Sequence, residues 1–249
     1  MKDRLDNFTS FKTWIDVYKS PEFYEQVFGW EPDAEVEYIV ALFNKYSTRV
    51  LKRTVEVGSG TGRVSSGLRS RGIEVVAVDL EYSMNSYAHR YRGLDALTAD
   101  ACRLPLRDNM FDLVFSMLST LNHLKVNELK AFFEQAYSIT GGGGMVVADM
   151  VINKVPCTGV CDEWKIEGTD CVASWGVMEV GEGYYLDFLE VRCGERVVTR
   201  TMSRMYLPRL AYLRNILKHV GFSEVYSLKS FTLNKPCNSG RCFVVAIKK

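Results

Sequence analysis

Between Thr54 and Asp149 the chain alternates between short apolar runs of strand length and longer segments whose apolar residues recur at helical spacing, five rounds in all. Thr54 to Val57 reads as a short buried strand, and Val64 and Leu68 sit on a helix that stops at Gly72. Ile73 to Asp79 is the second strand. Ser83 then caps a helix with Met84, Tyr87, Ala88 and Tyr91 inward, and Leu94 to Asp100 makes a weaker third strand. Phe111 to Met117 is the fourth. Leu129, Phe132, Phe133 and Ala136 repeat at helical spacing before the run Gly141 to Gly144 turns the chain into the strand Met145 to Asp149. Such alternation predicts an α/β fold: a doubly wound, mostly parallel sheet covered by helices on both faces, with ligands at the C-terminal ends of its strands.

Flanking segments complete the arrangement. Asp33 precedes Val36, Ile39, Val40 and Phe43, a helical stripe ahead of the first strand, so residues 1–48 are expected to be N-terminal helices. From 155 to 207 the texture changes to strand-like stretches rich in Val, Tyr, Trp and Thr, punctuated by Gly168, Gly176, Gly181, Gly183 and Gly194. These read as antiparallel hairpins inserted after the fifth strand. Pro208 opens a last helix with Leu210, Leu213, Leu217 and Val220 inward and Gly221 as its stop. Val225 to Leu228 and Phe243 to Ile247 then close a sheet of seven strands. With no repeat and no disordered linker, 1–249 is expected to be a single domain.

Composition narrows the partners. With 31 Lys+Arg against 30 Asp+Glu the formal charge is +1, which gives no electrostatic case for nucleic acid or an anionic membrane. The pairs Lys52-Arg53, Arg69 with Arg71, and Arg90 with Arg92 are simplest as solvated faces, with a basic stripe for RNA as the sharper alternative. The charged start Met1 to Asp6 lacks the apolar run of a secretory signal, and no stretch reaches the ~18 to 20 apolar residues of a membrane span. A cytoplasmic protein, monomer or homodimer, is the expectation. Seven scattered cysteines argue against a complete disulfide framework, so most are expected to be free or simply buried thiols; pairing among Cys157, Cys161, Cys171, Cys237 and Cys242 would suit a hyperthermophile. Cys157, Cys161 and Cys171 lack the paired knuckles of a zinc site, and no metal is expected.

The first strand leads into Gly58-Ser59-Gly60-Thr61-Gly62, three glycines at alternate positions before a helix. Glycine there lets backbone approach a ligand closely and take up positive φ. A dinucleotide fingerprint would place Gly where Arg63 stands, and a P-loop would follow Gly62 with Lys and Ser or Thr. Both are disfavoured. Acidic residues at the strand ends suit a cationic, hydroxyl-rich ligand instead: Asp79 for ribose hydroxyls, Asp100 within reach of an adenine amine, and Glu56 with the right sign for an ammonium group.

At these residues the sequence resembles the class I S-adenosylmethionine-dependent methyltransferases. Val55-Glu56-Val57-Gly58-Ser59-Gly60-Thr61-Gly62 is similar to their first motif, Val78-Asp79-Leu80 to the second, Ala99-Asp100-Ala101 with Leu104-Pro105 to the third, Phe111 to Ser116 to the fourth and Gly143-Gly144-Met145 to the fifth. Five motifs in order are a far stronger signal than a glycine loop alone. The resemblance implies the Rossmann-like methyltransferase fold and S-adenosyl-L-methionine as cofactor. It implies the glycines with Ser59 and Thr61 against the methionine part, Asp79 and Leu80 at the ribose, Asp100 and Ala101 at adenine, and Ser116 and Met117 as backbone contacts at the mouth. Ser20 to Glu25 resembles the N-terminal stretch of small-molecule members, where a tyrosine, here Tyr24, closes over the cofactor.

Methyl transfer from a sulfonium is an in-line displacement on an activated carbon, so a protein chiefly aligns the nucleophile and excludes water. The Asn/Asp-Pro-Pro-Tyr/Phe signature of exocyclic-amine methylation is absent after the fourth strand, and Pro156-Cys157 and Pro236-Cys237 fall too late for a cytosine-carbon nucleophile. The acceptor is expected above strands four and five, with His123 as a candidate general base and Asp149 as a candidate proton acceptor or amine binder. Asn122, Arg204 and Tyr206 are the candidate acceptor contacts, and Trp164, Trp175, Tyr184 and Tyr185 candidate pocket walls. An insertion of this kind points to a small-molecule acceptor; modification of RNA or protein, or cofactor binding without transfer, stays open as an alternative.

Overall fold

The computed structural model describes residues 12–249. Met1 to Phe11, including the charged opening, lie outside the described residues. Three helices come first: α1 (Trp14–Tyr18), α2 (Pro21–Phe28) and α3 (Asp33–Tyr46). Pro21 at the first position of α2 fixes φ where no intrahelical donor is needed. Then follow β1 (Arg53–Val57), α4 (Arg63–Arg69), β2 (Glu74–Asp79), α5 (Tyr82–Arg92), β3 (Asp95–Thr98) and β4 (Phe111–Ser116). A 3-10 turn, Thr120–His123, leads to α6 (Val126–Ile139) and the long β5 (Thr140–Ile152). Strands β6 (Gly159–Lys165), β7 (Cys171–Gly181), β8 (Tyr184–Cys193) and β9 (Arg196–Tyr206) follow, and α7 (Leu210–Val220), β10 (Glu224–Lys229) and β11 (Gly240–Ile247) finish the chain.

The main sheet has the order β10-β11-β5-β4-β1-β2-β3. Strands β1 to β5 pair in parallel, and β11 runs antiparallel between β5 and β10. The order reverses between β1 and β4, which opens a crevice at their C-terminal ends. The predicted seven-stranded class is therefore the observed one. Two apolar layers sandwich this sheet. On one side α6 and α7 bury Phe132, Phe133, Leu213 and Leu217 against Val114, Val146 and Val244; on the other α3 and α4 bury Ile39, Phe43 and Leu68 against Leu113, Phe115 and Val147. Burial at both faces explains why β4 and β5 read as near-continuous apolar runs.

Strands β6 to β9 form a separate four-stranded antiparallel sheet in simple hairpin order, as the alternating texture of that stretch predicts. One face packs on α1 and α2: Trp14, Val17, Phe23 and Val27 meet Ala173, Leu189, Val191 and Val198. The N-terminal helices and the inserted sheet thus share one core above the C-terminal ends of the main strands.

Local details depart from expectation. Ser83 does not cap α5 with its hydroxyl, which donates to the Tyr18 carbonyl (3.2 Å), and Tyr91 is exposed, its ring tilted against that of Tyr87. The glycine run is part of β5 rather than a turn before it. At Gly143 (φ +78°) an added Cβ would stand 2.8 Å from Thr48 Oγ1, so the strand passes under that loop only as glycine. Six of the seven cysteines pair, Cys157 with Cys161, Cys171 with Cys193 and Cys237 with Cys242, against the expectation of free thiols. Cys102 alone is free. The expectation failed because hairpin register brings Cys171 and Cys193 face to face across 22 residues. Among the described residues no helix is long and apolar enough to cross a membrane.

Candidate active site

The glycine segment leaves β1 in a tight turn. Gly58, Gly60 and Gly62 all have positive φ, and the Gly58 and Ser59 amides donate to the Val78 carbonyl (2.7 and 3.0 Å), tying the turn to β2. A Cβ on Gly58 would fall 2.2 Å from Thr120 Cγ2, so this position admits no side chain while the 3-10 turn stays in place. Asp79, at the tip of β2, closes the turn from the other side: one carboxylate oxygen accepts the Gly60 amide (2.8 Å) and the other the Glu81 amide (2.9 Å). Burial pushes its pKa up against those two donors. Each oxygen keeps a lone pair for a further donor, as a ribose diol requires.

Glu56 lies buried beneath the turn. Its Oε2 accepts the Ser65 amide (3.0 Å) and hydroxyl (2.6 Å), and burial lifts its pKa to about 7 despite them. Around the turn, Ser59 Oγ, Thr61 Oγ1 and Ser116 Oγ are buried and have no hydrogen-bond partner among the described residues. Orphaned buried hydroxyls are costly unless a ligand satisfies them. Together with a glycine turn that lets backbone be approached and a half-buried carboxylate with spare acceptor capacity, they fit a polar, hydroxyl-bearing ligand such as S-adenosylmethionine. Asp100, exposed at the third strand's end, accepts the Cys102 amide (2.8 Å); Ala101 is half-buried against the core, Leu80 is exposed and Met117 is buried. The Met117 carbonyl accepts the Thr120 amide and hydroxyl, which start the 3-10 turn.

Tyr24 stands over this turn, its ring 3.8 Å from the position of a Cβ on Gly60. Burial drives its phenol up to about 12, so it stays protonated. Beyond Tyr24 opens a chamber of about 300 Å³. Trp14, Tyr18, Phe28 and Trp30 wall it from the N-terminal helices and the residues after them, and Trp164, Trp175, Tyr185, Asp187 and Met205 from the small sheet. Leu118, Ser119, His123, Val151 and Arg241 come from the main sheet's strand ends. Leu118 and Ser119 both hold left-handed backbone (φ +52° and +59°), a cost of about 1–3 kcal/mol each concentrated where β4 delivers the chain to the chamber. A larger cavity, about 450 Å³, opens at the opposite edge of the sheet among Arg53, Arg69, Glu74 and Asp95, away from the glycine turn and every strand-end acid discussed above.

His123 meets the chamber with Nε2 3.0 Å from the Tyr18 hydroxyl. Burial pushes its pKa down to about 4, which keeps the ring neutral at pH 7. Four other candidates are placed elsewhere by the fold. Asp149 is fully buried; Arg241 grips it through Nε (2.9 Å) and Nη2 (2.6 Å), and the Leu118 amide donates to Oδ2 (2.9 Å). A carboxylate so committed holds the strained Leu118 corner and is not among the residues lining the chamber. Asn122, also fully buried, donates to the Val151 and Tyr206 carbonyls and accepts the Val151 amide, lacing the 3-10 turn to β5 and β9. Arg204 is exposed and lies over the Tyr184 ring at 4.4 Å. With Tyr206 it occupies the outer face of β9, while Ser203 and Met205 take the inner one.

Of the candidate walls, Trp164, Trp175 and Tyr185 line the chamber and Tyr184 does not. Sequence reasoning missed Trp14, Tyr18, Trp30, Asp187 and Arg241. A partial signal existed in Trp14/Tyr18 and Tyr24/Phe28, aromatic pairs at i, i+4 on short helices. The basic pairs are partly engaged within the protein: Arg53 with Glu74, Arg71 with Glu37, Arg92 with Glu25, and Arg69 with the Gly93 carbonyl.

A seven-stranded sheet of this order, with a glycine turn after β1 and a carboxylate at the tip of β2, defines the class I methyltransferase architecture. A family model described as "Methyltransferase domain" matches residues 55–148. A demethylmenaquinone methyltransferase of Renibacterium salmoninarum is 34% identical over 97 residues, 39% of this chain and 40% of that protein. A malonyl-[acyl-carrier protein] O-methyltransferase of Enterobacter lignolyticus is 36% identical over 80 residues, 32% of each. The chain thus matches under two thirds of the length of these relatives. Among solved structures, the sugar N-methyltransferase KedS8 of Streptoalloteichus sp ATCC 53650 superposes with a TM-score of 0.73 at 17% identity, covering 92% of each chain. An S-adenosylmethionine-dependent methyltransferase of Clostridium acetobutylicum ATCC 824 gives 0.72 at 17%, covering 91% of this chain and 96% of that one. Residues 55–148 thus match a methyltransferase domain, and the chain has the fold of S-adenosylmethionine-dependent methyltransferases.

Proposed function

We propose that this chain transfers a methyl group from S-adenosylmethionine to a small molecule held in the aromatic chamber. The observation that carries this reading is the chamber itself: a partly open space of about 300 Å³, walled by two helices and a second sheet, meets the glycine turn at Tyr24. Such a volume suits a small ligand and is too small for a folded macromolecular surface. The sugar N-methyltransferase among the structural neighbours supports the same class of acceptor.

When bound, S-adenosylmethionine supplies a methyl group already activated on sulfur. The protein's share is alignment and exclusion of water. Asp79 takes the ribose hydroxyls, Asp100 and the Ala101 backbone face adenine, and Glu56 with Gly58, Ser59, Gly60, Thr61 and Gly62 receives the amino-acid end. Ser116 and Met117 border the mouth, Leu80 flanks the ribose, and Tyr24 divides cofactor from acceptor. A base with a pKa near 4 holds protons poorly at pH 7, so His123, with Tyr18, orients the acceptor by hydrogen bonding and the released proton goes to water.

The test is a labelled-methyl assay over amines, alcohols, phenols, carboxylates and tRNA, paired with calorimetry of S-adenosylhomocysteine. Saturable product binding and transfer to at least one small acceptor are expected. Transfer to tRNA alone, or no binding at all, would refute the reading.

A further inference from the structure

All four tryptophans of the chain, Trp14, Trp30, Trp164 and Trp175, converge on the one chamber although they come from four separate segments. They are mutually packed with Tyr18 and Phe28: Trp14 stacks on Tyr18 (centroids 5.7 Å), Phe28 meets Trp164 (5.5 Å) and Trp30 stands edge-on to Trp164 (6.1 Å). Aliphatic side chains would fill such a space as well. What rings add is a face of negative potential that attracts cations.

Two carboxylates line the chamber, the exposed Asp162 and the buried Asp187. Asp187 of β8 is 3% exposed, and its two oxygens accept the indole N–H groups of Trp14 (2.9 Å) and Trp175 (3.2 Å). Both donors are neutral. No salt bridge reaches Asp187 among the described residues, and the guanidinium that lines the chamber, Arg241, is spent on Asp149. Four other buried carboxylates among the described residues have cations: Glu35 has Arg63, Glu190 has Arg192 and Arg200, Asp112 has Arg49 and Asp149 has Arg241. Glu56, also buried with no salt bridge among the described residues, belongs to the proposed cofactor turn, where the ligand brings an ammonium group. A buried charge without a counter-charge is expensive, and a ligand that brings one recovers that cost on binding.

We infer that the acceptor is a small amine, which enters the chamber as an ammonium ion and is recognised by Asp187 from below and by the tryptophan faces around it. This deepens the proposed function and rests on it. Asp187 has its pKa raised by burial to about 6 and is therefore ionised at pH 7.5. The ammonium gives one proton to water; the nitrogen lone pair then forms the new N–C bond as the C–S bond breaks with its electron pair left on sulfur. The product is again a cation. One proton is released per turnover.

Because every tryptophan lines the chamber, intrinsic fluorescence reports its occupancy directly. The full chain, saturated with S-adenosylhomocysteine, is titrated with cyclohexylamine, cyclohexanol and cyclohexanecarboxylate, and with glucosamine against glucose. Amines are expected to perturb the emission at roughly 10- to 100-fold lower concentration than their neutral partners, the scale of a charge-assisted contact. In Asp187→Asn that preference should vanish while S-adenosylhomocysteine affinity stays within about twofold of wild type. Should the variant fail to fold, the wild-type titration still decides. Equal response to amines and alcohols, or methyl transfer to alcohols or carboxylates and not amines, overturns the amine assignment and leaves the methyltransferase reading intact. Failure to bind S-adenosylhomocysteine overturns the underlying reading instead.

Discussion

The carboxylate of Asp149, fully buried at the end of β5, is held by the guanidinium of Arg241 on the neighbouring antiparallel strand through contacts of 2.9 and 2.6 Å. Its remaining capacity goes to the Leu118 amide, so the pair anchors the left-handed corner that shapes the chamber floor. Removing the cation would leave an uncompensated buried charge. Arg241→Met is therefore expected to cost about 3–5 kcal/mol in urea denaturation, and the double variant Arg241→Met, Asp149→Leu to recover much of it. A single-variant loss below about 1 kcal/mol would contradict the pairing.

Asp79 supports the proposed cofactor site through spare acceptor capacity rather than through packing. Asp79→Ala should weaken S-adenosylhomocysteine by a few kcal/mol in calorimetry, because two hydroxyls lose a charged acceptor. Unchanged affinity would remove the ribose from this position.

Glu56 links stability to pH. Its folded pKa is about 7 against 4.5 for the free side chain, so between those values the native state keeps a proton that the unfolded chain has lost. Stability is then fully retained below about pH 4.5 and declines as pH rises through 7. Glu56→Gln keeps an acceptor for Ser65 and lacks the buried charge. Its melting curve should match wild type at pH 4 and exceed it at pH 8, by on the order of 2 kcal/mol, while cofactor affinity falls. A variant less stable than wild type at pH 8 would show that the charge is compensated in the native state.

Cysteine pairing makes a chemical prediction. Alkylation of the unreduced, denatured chain should label Cys102 alone, and reduction should release six more thiols. Cys171–Cys193 closes a separation of 22 residues, so its loss should cost about 3 kcal/mol by the chain-entropy estimate, against about 2 for either short pair. Peptide mapping that finds Cys171 or Cys193 labelled without reductant would reject the pair.

The sequence by itself determined the main sheet and its glycine turn. Strand and helix periods, capping glycines and the residues flanking Gly58 to Gly62 act over a few positions, and five strands alternating with helices leave little freedom in how a parallel sheet winds. What only the tertiary structure decided concerns groups brought together over long stretches of chain. Period-two alternation in β9 shows that Arg204 and Tyr206 share a face, but which face looks inward depends on α1 and α2 packing against the small sheet. Trp14 meets Asp187 across 173 residues, and Asp149 meets Arg241 across 92. A side chain's charge and shape are local, but its partner is chosen by the fold, and so Asp149 and Asn122 became anchors while Asp187 was left facing the chamber.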